Sequence, residues 1–288
     1  MPVRSARSLS RNVAGAGLIV LTIGAGSCTS TGAQQRQIET VSDALGCARG
    51  ALGGPKALSA ISSLAVTFEE IPDPSVRNGQ RTTSEITLGF PAKFKATSRL
   101  RLPGREDFVL VRGFAGDRQF VGPAGDNQAQ IEKPDQGSFR VLRSEFARWA
   151  LMLLLRETPV VPLKWSPALT PDGAAHVRIA ATGPDSFNIA LLLDNATCQP
   201  LGVMWDRAPN YDDAMSGRTS PSGRHVERRD LLDYRTFDGI RLPARIRTAV
   251  DGVPRGELKL ITARVNPALP DELAQSRALT VGRSNAPR

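Results

Sequence analysis

The pattern of apolar and polar positions near the start of the chain indicates helix. Ile38, Val41, Leu45 and Ala48 recur every three or four positions, which predicts an amphipathic helix over residues 35–52. Two glycines and a proline follow directly, and they end this helix and allow a short second one to begin. The pattern then changes to alternating apolar and polar positions, which is typical of β-strands joined by polar turns.

The strongest helix signal lies in the middle of the chain, over residues 138–157. Its apolar face consists of Leu142, Phe146, Trp149 and Leu153. Residues 149–155 are apolar on every side, so this end of the helix must be buried among several elements. Alternation returns after the helix and continues to residue 265, with Asp-Gly hairpin turns at 238–239 and 251–252.

These elements predict an α+β fold in one domain, with a large antiparallel sheet that has helices on one face. We count about ten or eleven strands from the alternation and the turns. The stretches 123–137 and 208–224 are rich in polar residues, glycine and proline, and we expect them to be loops. No glycine-rich phosphate loop follows a strand.

The N-terminal stretch has the order of a secretory signal peptide over residues 1–27: basic residues, an apolar run, then small residues. Cys28 follows, and the small residues that end at it resemble the lipobox of bacterial lipoproteins, whose cysteine is acylated. Ala25 departs from that motif, which usually has leucine at this position. Ordinary cleavage, after Ser27 or Ala33, is the alternative. Residues 28–36 then form a polar tether.

Composition and charge exclude several classes of function. Three cysteines and two histidines are too few for a disulfide scaffold, a four-cysteine zinc site or a three-histidine metal centre. The formal net charge of +9 falls by three when the arginines of the signal peptide are removed. The remaining basic residues are scattered, which favours a solvated surface or an anionic membrane over a nucleic-acid partner. Export would leave Cys47 and Cys198 as a pair, either a disulfide or two buried thiols.

Several sequence motifs resemble one family of exported bacterial proteins. They are 51–64, 90–94 (Phe-Pro-Ala-Lys-Phe), 113–117, 233–243 and Val265-Asn-Pro267. They are similar to outer-membrane lipoprotein-sorting and carrier proteins, the LolA/LolB-like superfamily, over roughly residues 40–270. The resemblance implies an unclosed β-barrel, a curved antiparallel sheet wrapped around helices, whose apolar concave face holds acyl chains in lipid-carrying members. We accordingly expect a half-barrel domain over 37–270 and a loose tail over 271–288.

The resemblance implies a binding protein without cofactor, metal or catalytic residues. We expect a lipid or an acylated protein as the partner, bound on the periplasmic side of the bacterial envelope, with lipidated Cys28 as the anchor in the outer membrane. The candidate ligand contacts are Phe146, Trp149, Met152 and Leu153, as a lid over an apolar cavity. Plain core packing of the same four residues is the alternative, since apolar stripes at helical spacing usually face a core.

Two other functions remain open at this point. An envelope sensor or scaffold with a filled core would bind a protein partner instead of a lipid, and an exposed apolar patch would favour that function. A hydrolase is a weaker hypothesis, because the sequence has no Gly-x-Ser-x-Gly or His-Glu-x-x-His motif. His176 and His225 also have no recognisable catalytic partner in the sequence.

Overall fold

The computed structural model of the protein describes residues 38–73, 82–101, 106–124, 129–131, 136–172, 175–208 and 223–274. These ranges contain four helices and fourteen strands. The helices are α1 (Val41–Ala51), α2 (Pro55–Ser59), α3 (Gln136–Leu154) and α4 (Asp271–Ala274). The strands are β1 (Ser63–Pro72), β2 (Thr82–Gly89), β3 (Lys93–Leu100), β4 (Phe108–Ala115), β5 (Arg118–Pro123), β6 (Ala129–Ile131), β7 (Lys164–Trp165), β8 (Thr170–Asp172), β9 (His176–Thr182), β10 (Asn188–Asp194), β11 (Pro200–Arg207), β12 (His225–Phe237), β13 (Ile240–Val250) and β14 (Val253–Val265).

All of these strands belong to one antiparallel sheet, in the order β6-β5-β4-β3-β2-β1-β14-β13-β12-β11-β10-β9-β7, with β8 paired to β9. The strands before α3 and those after it form two separate runs, and the pairing of β1 with β14 joins them. Leu64 lies opposite Val265 at one end of this pair, and Pro72 lies opposite Gly256 at the other. Among the described strands β6 and β7 are the two ends of the path, so the sheet is an unclosed barrel. The predicted α+β class is confirmed.

The join between β1 and β14 is reinforced by the side chain of Asn266, directly after β14. Its Oδ1 accepts hydrogen bonds from the backbone N–H of Ser62 at 2.7 Å and of Ser63 at 3.3 Å. Asn266 has a φ of 52°, in the left-handed region that asparagine tolerates better than most residues. The Val265-Asn-Pro267 motif therefore connects the two ends of the domain.

Helix α1 begins six residues later than the sequence pattern predicts. Thr40 is its N-cap: the Oγ1 accepts from the backbone N–H of Asp43 at 3.1 Å and donates to the Asp43 carboxylate at 2.7 Å. Such a cap satisfies an otherwise free helix N–H and so sets where the helix starts. The buried side of α1 packs into the main core through Val41, Ala44, Leu45 and Ala48.

Helix α3 fills much of the space inside the sheet. Phe146 is fully buried, and its ring lies 5.7 Å from that of Phe90, 6.1 Å from that of Phe94 and 5.7 Å from that of Phe114. Aromatic pairs at these centroid distances are favourable beyond the area they bury. The helix is thus anchored to β3, to β4 and to the turn between β2 and β3.

Two further stretches differ from the sequence predictions. The predicted loop 123–137 contains the short strand β6, which pairs with β5. The predicted tail 271–288 begins with the helix α4, where Leu273 is buried and Glu272 pairs with Lys95 at 3.0 Å. The packed domain therefore continues to residue 274, and residues 275–288 lie outside the described ranges. The alternation missed β6 and α4 because three or four residues are too short to establish a period.

Candidate functional site

A cavity of about 410 Å³ lies between α3 and the inner face of the sheet. This volume falls within the range of about 300–1,000 Å³ that is typical of small-molecule sites. Seven strands and α3 contribute to its walls. The lining residues are Phe68, Glu70, Thr82, Ser84, Ile86, Ser98, Leu100, Arg112, Glu145, Trp149, Arg229, Thr248, Arg255, Gly256, Glu257 and Leu258.

The wall of the cavity is mixed rather than purely apolar, which differs from the apolar cavity that we expected. Its apolar members are Phe68, Ile86, Leu100, Trp149 and Leu258. The rings of Phe68 and Trp149 stack with their centroids 5.6 Å apart, so one sheet residue and one helix residue form a continuous apolar surface. Ser84 and Ser98 lie opposite each other on β2 and β3 and add hydroxyl groups to the wall.

An ion pair links α3 to the sheet at the edge of the cavity. Arg112 on β4 donates to both carboxylate oxygens of Glu145, with Nη2 to Oε1 at 2.8 Å and Nε to Oε2 at 3.2 Å. Burial works against the charged form of Arg112, but the Glu145 carboxylate outweighs it and raises the pKa of Arg112 above its ordinary value. These two hydrogen bonds hold α3 over the cavity. They are stronger than hydrogen bonds between neutral groups because both side chains are charged.

A second charged group lies on β11 and β12, beside the cavity. Glu227 accepts from Arg229, with Oε1 3.1 Å from Nη2, and its Oε2 lies 3.2 Å from Nε of Arg207. The side chains of Glu227 and Arg207 are only 13% and 14% exposed. The guanidinium of Arg229 lies 5.0 Å from the ring of Trp149 and 5.1 Å from that of Trp205.

Arg148 on α3 lies next to this group. Its guanidinium is 5.0 Å from the ring of Trp205 and 5.3 Å from the ring of Phe187. Within the described part of the chain it has these ring contacts but no hydrogen bond or ion pair, and its Nε is buried without a hydrogen-bond partner. Burial is the largest influence on its pKa, and although Glu227 opposes it, the pKa of Arg148 falls to about 10.

The four residues of the proposed lid differ in whether they reach the cavity. Trp149 lines the cavity. Phe146, Met152 and Leu153 are buried to 1% exposure or less in the main core and are not among the residues that line this cavity. The helix therefore contributes one ring to the cavity wall and uses its other large side chains for packing.

The structure joins Cys47 on α1 to Cys198, after β10, by a disulfide with a Cα–Cα distance of 5.6 Å. The sequence was compatible with a disulfide or with two buried thiols, and the structure has the disulfide. Asp194 holds the turn that carries Cys198, because its Oδ1 accepts from the backbone N–H of Ala196 and Thr197. Cys28 lies outside the described residues.

The two histidines lie apart from the cavity wall. His176 is exposed on β9. His225 is 1% exposed at the start of β12, and its Nδ1 is 2.5 Å from Oδ2 of Asp251. An ionised carboxylate can only accept, so Nδ1 of His225 is the donor. Among the described residues no three His, Cys, Asp or Glu side chains gather as metal binding would require.

A second depression of about 580 Å³ lies beside the N-terminal half of α3. Its charged side chains are paired: Arg140 lies 3.4 Å from Asp185, and Arg143 lies 3.2 Å from Asp117. The exposed large apolar side chains of the described residues are spread over four elements. They are Phe108, Val141, Val226, Val253 and Ile261. No helix in the described ranges combines the length and the apolar character that crossing a membrane requires.

The charged residues of the cavity are not among the predicted ligand contacts, although the sequence carries a signal for some of them. Arg229 and Glu227 precede the buried Leu231 by two and four positions, so all three point to one face of β12. On β4, Arg112 precedes the buried Phe114 by two positions, so these two side chains also point to one face of their strand. A charged residue at a core-facing position of a strand indicates a polar interior or a site, because an isolated buried charge is unfavourable.

Comparisons with known proteins agree with this architecture. No protein-family model matches the sequence, and no curated protein matches it significantly. The structure is similar to that of a LolA superfamily protein from Nitrosomonas europaea, with a TM-score of 0.50, 12% sequence identity, and coverage of 82% of this chain and 97% of that one. This chain has the LolA fold.

Two further structures resemble the LolA fold of this chain more weakly. A domain assigned to outer membrane lipoprotein sorting, from Vibrio parahaemolyticus, has a TM-score of 0.46 and 14% identity, and the match covers 79% of this chain and 94% of that one. A DUF1329 family protein from Desulfovibrio piger has a TM-score of 0.40 and 10% identity, over 80% and 95% of the two chains. The assignment to the LolA fold rests on the first comparison alone.

Proposed function

We propose that this protein binds the acyl chain of a lipid or of a lipid-modified protein in the cavity beneath Trp149. The observation that carries the proposal is the cavity of about 410 Å³ on the inner face of an unclosed barrel, with five apolar side chains in its wall. Each methylene that moves from water into such a wall contributes about 0.8 kcal/mol. The proposed role is binding and transfer, without a cofactor or a covalent step, so the protein is not an enzyme.

We place this activity on the periplasmic side of a bacterial envelope. The residue order of 1–27 supports export, and the motif ending at Cys28 supports a lipid anchor in the outer membrane. The disulfide between Cys47 and Cys198 fits an oxidising compartment outside the cytoplasm. The sensor that binds a protein partner through an apolar patch is less well supported, because the exposed apolar side chains are dispersed.

The test is uptake of monolaurin, a neutral lipid with one twelve-carbon chain, by protein produced from the full chain and purified without detergent. Native mass spectrometry counts the bound molecules, and isothermal calorimetry gives the Kd. Ser98→Trp places an indole where a half-buried serine lines the cavity. We expect this variant to bind monolaurin at least tenfold more weakly than the wild type, because the ring occupies the space of the chain.

Ile261→Trp is the matched control. Ile261 is 54% exposed on β14 and does not line the cavity, so this variant should bind like the wild type. Thermal unfolding followed by circular dichroism checks that both variants are folded. Trp149→Ala should also weaken uptake, since it removes the aromatic wall. Equal uptake by the two tryptophan variants, or no uptake by the wild type, would refute the proposal.

A further inference from the structure

Two guanidinium groups lie beside the cavity near one ring, that of Trp205. Arg229 pairs with Glu227, and Arg148 adds a second guanidinium near the same ring. The two arginines come from different elements, α3 and β12, so the fold and not a local run of sequence brings them together. We call Arg148, Arg229 and Glu227 the arginine cluster.

The cluster is unfavourable in the protein alone. Like charges that are partly removed from water repel one another, and a guanidinium without hydrogen-bond partners loses part of its hydration. The rings of Trp205 and Phe187 offset some of this cost for Arg148 through cation–π contacts. Burial is the largest cause of its lowered pKa, which agrees with a guanidinium that is partly removed from water. A bound anion would supply the missing negative charge.

Carboxylates elsewhere on the cavity wall do not neutralise the cluster. Glu145 is engaged by Arg112 through two hydrogen bonds. Glu257 is engaged by Arg245 in the same manner, with distances of 2.7 and 2.9 Å. Glu70, the third carboxylate of the wall, lies on β1, which β13 and β14 separate from β12 in the sheet.

Arg229 connects the cluster to the cavity. It lines the cavity together with Trp149, the aromatic member of the wall on α3. An amphiphile with its chain against Phe68, Ile86 and Trp149 could therefore reach Arg229 with its polar end. Guanidinium groups bind phosphate and carboxylate through planar, charge-assisted hydrogen bonds, which makes an oxyanion the matching head group.

We propose that the arginine cluster is a head-group subsite, at which Arg229, supported by Arg148, binds the phosphate or carboxylate of an amphiphile whose chain occupies the cavity. This inference rests on the proposed function and makes it more specific: the ligand is an anionic lipid and not a neutral one. The chain supplies affinity through burial, and the cluster selects the head group.

The test compares three probes by isothermal calorimetry below their micelle concentrations. Lauroyl lysophosphatidic acid and monolaurin share the chain and the glycerol and differ by one phosphate, and inorganic phosphate has no chain. We expect the wild type to bind the lysophosphatidic acid at least tenfold more tightly than monolaurin, and inorganic phosphate far more weakly than either lipid. Raising the salt concentration should weaken only the binding of the lysophosphatidic acid.

Arg229→Gln and Arg148→Gln should each reduce the preference for the phosphate, measured as the ratio of the two lipid affinities, by at least fivefold. Arg228→Gln is the matched control, because Arg228 is the neighbouring residue on β12, its side chain is 46% exposed and it pairs with Asp230. The control should keep the full preference. Arg148→Gln removes no hydrogen bond of the described residues, so it should fold even where Arg229→Gln does not.

The outcomes separate the two proposals. Equal affinity of the wild type for both lipids, or a preference that survives in both glutamine variants, would overturn the head-group subsite and leave lipid binding intact. Inorganic phosphate bound as tightly as the lysophosphatidic acid would show an anion site without a chain site, which contradicts both proposals. No binding of either lipid would contradict the proposed function itself.

Discussion

Removal of the disulfide between Cys47 and Cys198 should cost a large part of the stability of this protein. The bond closes a loop with a sequence separation of 151 residues. A cross-link over a loop of this length reduces the entropy of the unfolded chain by an amount worth about 5 kcal/mol at 25 °C. Measured effects of native disulfides are about 2–5 kcal/mol, so we expect Cys47→Ala with Cys198→Ala to lower the free energy of unfolding by that much.

The structure shows why the loss would not be confined to the loop. Cys47 lies on α1, whose buried side packs into the main core, and Cys198 is 3% exposed after β10. The bond thus ties the helix at the start of the domain to a turn between two strands of its second half. Without it, α1 is held by its apolar contacts and by single hydrogen bonds such as that from Nε of Arg49 to the Leu155 carbonyl.

The assay is equilibrium unfolding in urea, followed by circular dichroism, with Cys28 replaced by serine in every sample so that one pair of thiols differs. The double alanine variant should have a lower midpoint than the oxidised parent. Treating the parent with dithiothreitol should lower its midpoint towards that of the variant. A difference below about 1 kcal/mol, or two free thiols in the oxidised parent, would refute the reasoning.

Two further predictions concern polar side chains that hold strand ends. Asn266→Ala should lower the free energy of unfolding by about 1–3 kcal/mol, because two backbone N–H groups, those of Ser62 and Ser63, lose their acceptor. Asn266→Asp keeps an acceptor oxygen, so in thermal unfolding it should retain most of the stability of the wild type. The hydrogen bond from His225, and then that from a backbone N–H, lowers the pKa of Asp251 below its ordinary value of 3.8. A lowered pKa contributes stability above the unfolded value that is lost as the pH falls through the folded one. The stability difference between wild type and Asp251→Asn should therefore shrink as the pH falls below 3.8, and an equal difference at pH 5 and pH 2.5 would contradict this assignment.

Much of the local structure could be predicted from the sequence. The stripe of Leu142, Phe146, Trp149 and Leu153 predicted α3, and the Asp-Gly pairs at 238–239 and 251–252 predicted the hairpins around β13. These features depend on neighbours a few residues apart, so periodicity and turn chemistry suffice. The start of α1 was placed too early, because the cap at Thr40 outweighs the apolar period.

The candidate site could be predicted only in part. Trp149 was named from the helix pattern, but the same pattern also named Phe146, which the structure buries among three other phenylalanine rings. A helix periodicity shows which residues face inward and not what they face. The spacing of Arg229 to Leu231 indicates the inward face of β12 but not what Arg229 contacts there. The contacts of Arg229 and Arg148 depend on the approach of α3 to β11 and β12.

The sequence by itself determined the alternation of strands, the central helix and the turns, because each is encoded by residues close together in the chain. Only the tertiary structure decided the pairing of β1 with β14, the partner of Cys47 and the position of the cavity. These features join segments that lie far apart in sequence, and many pairings are compatible with one pattern of alternation. The packing of the whole sheet around α3 selects among them, because one arrangement buries the apolar face of every element at once.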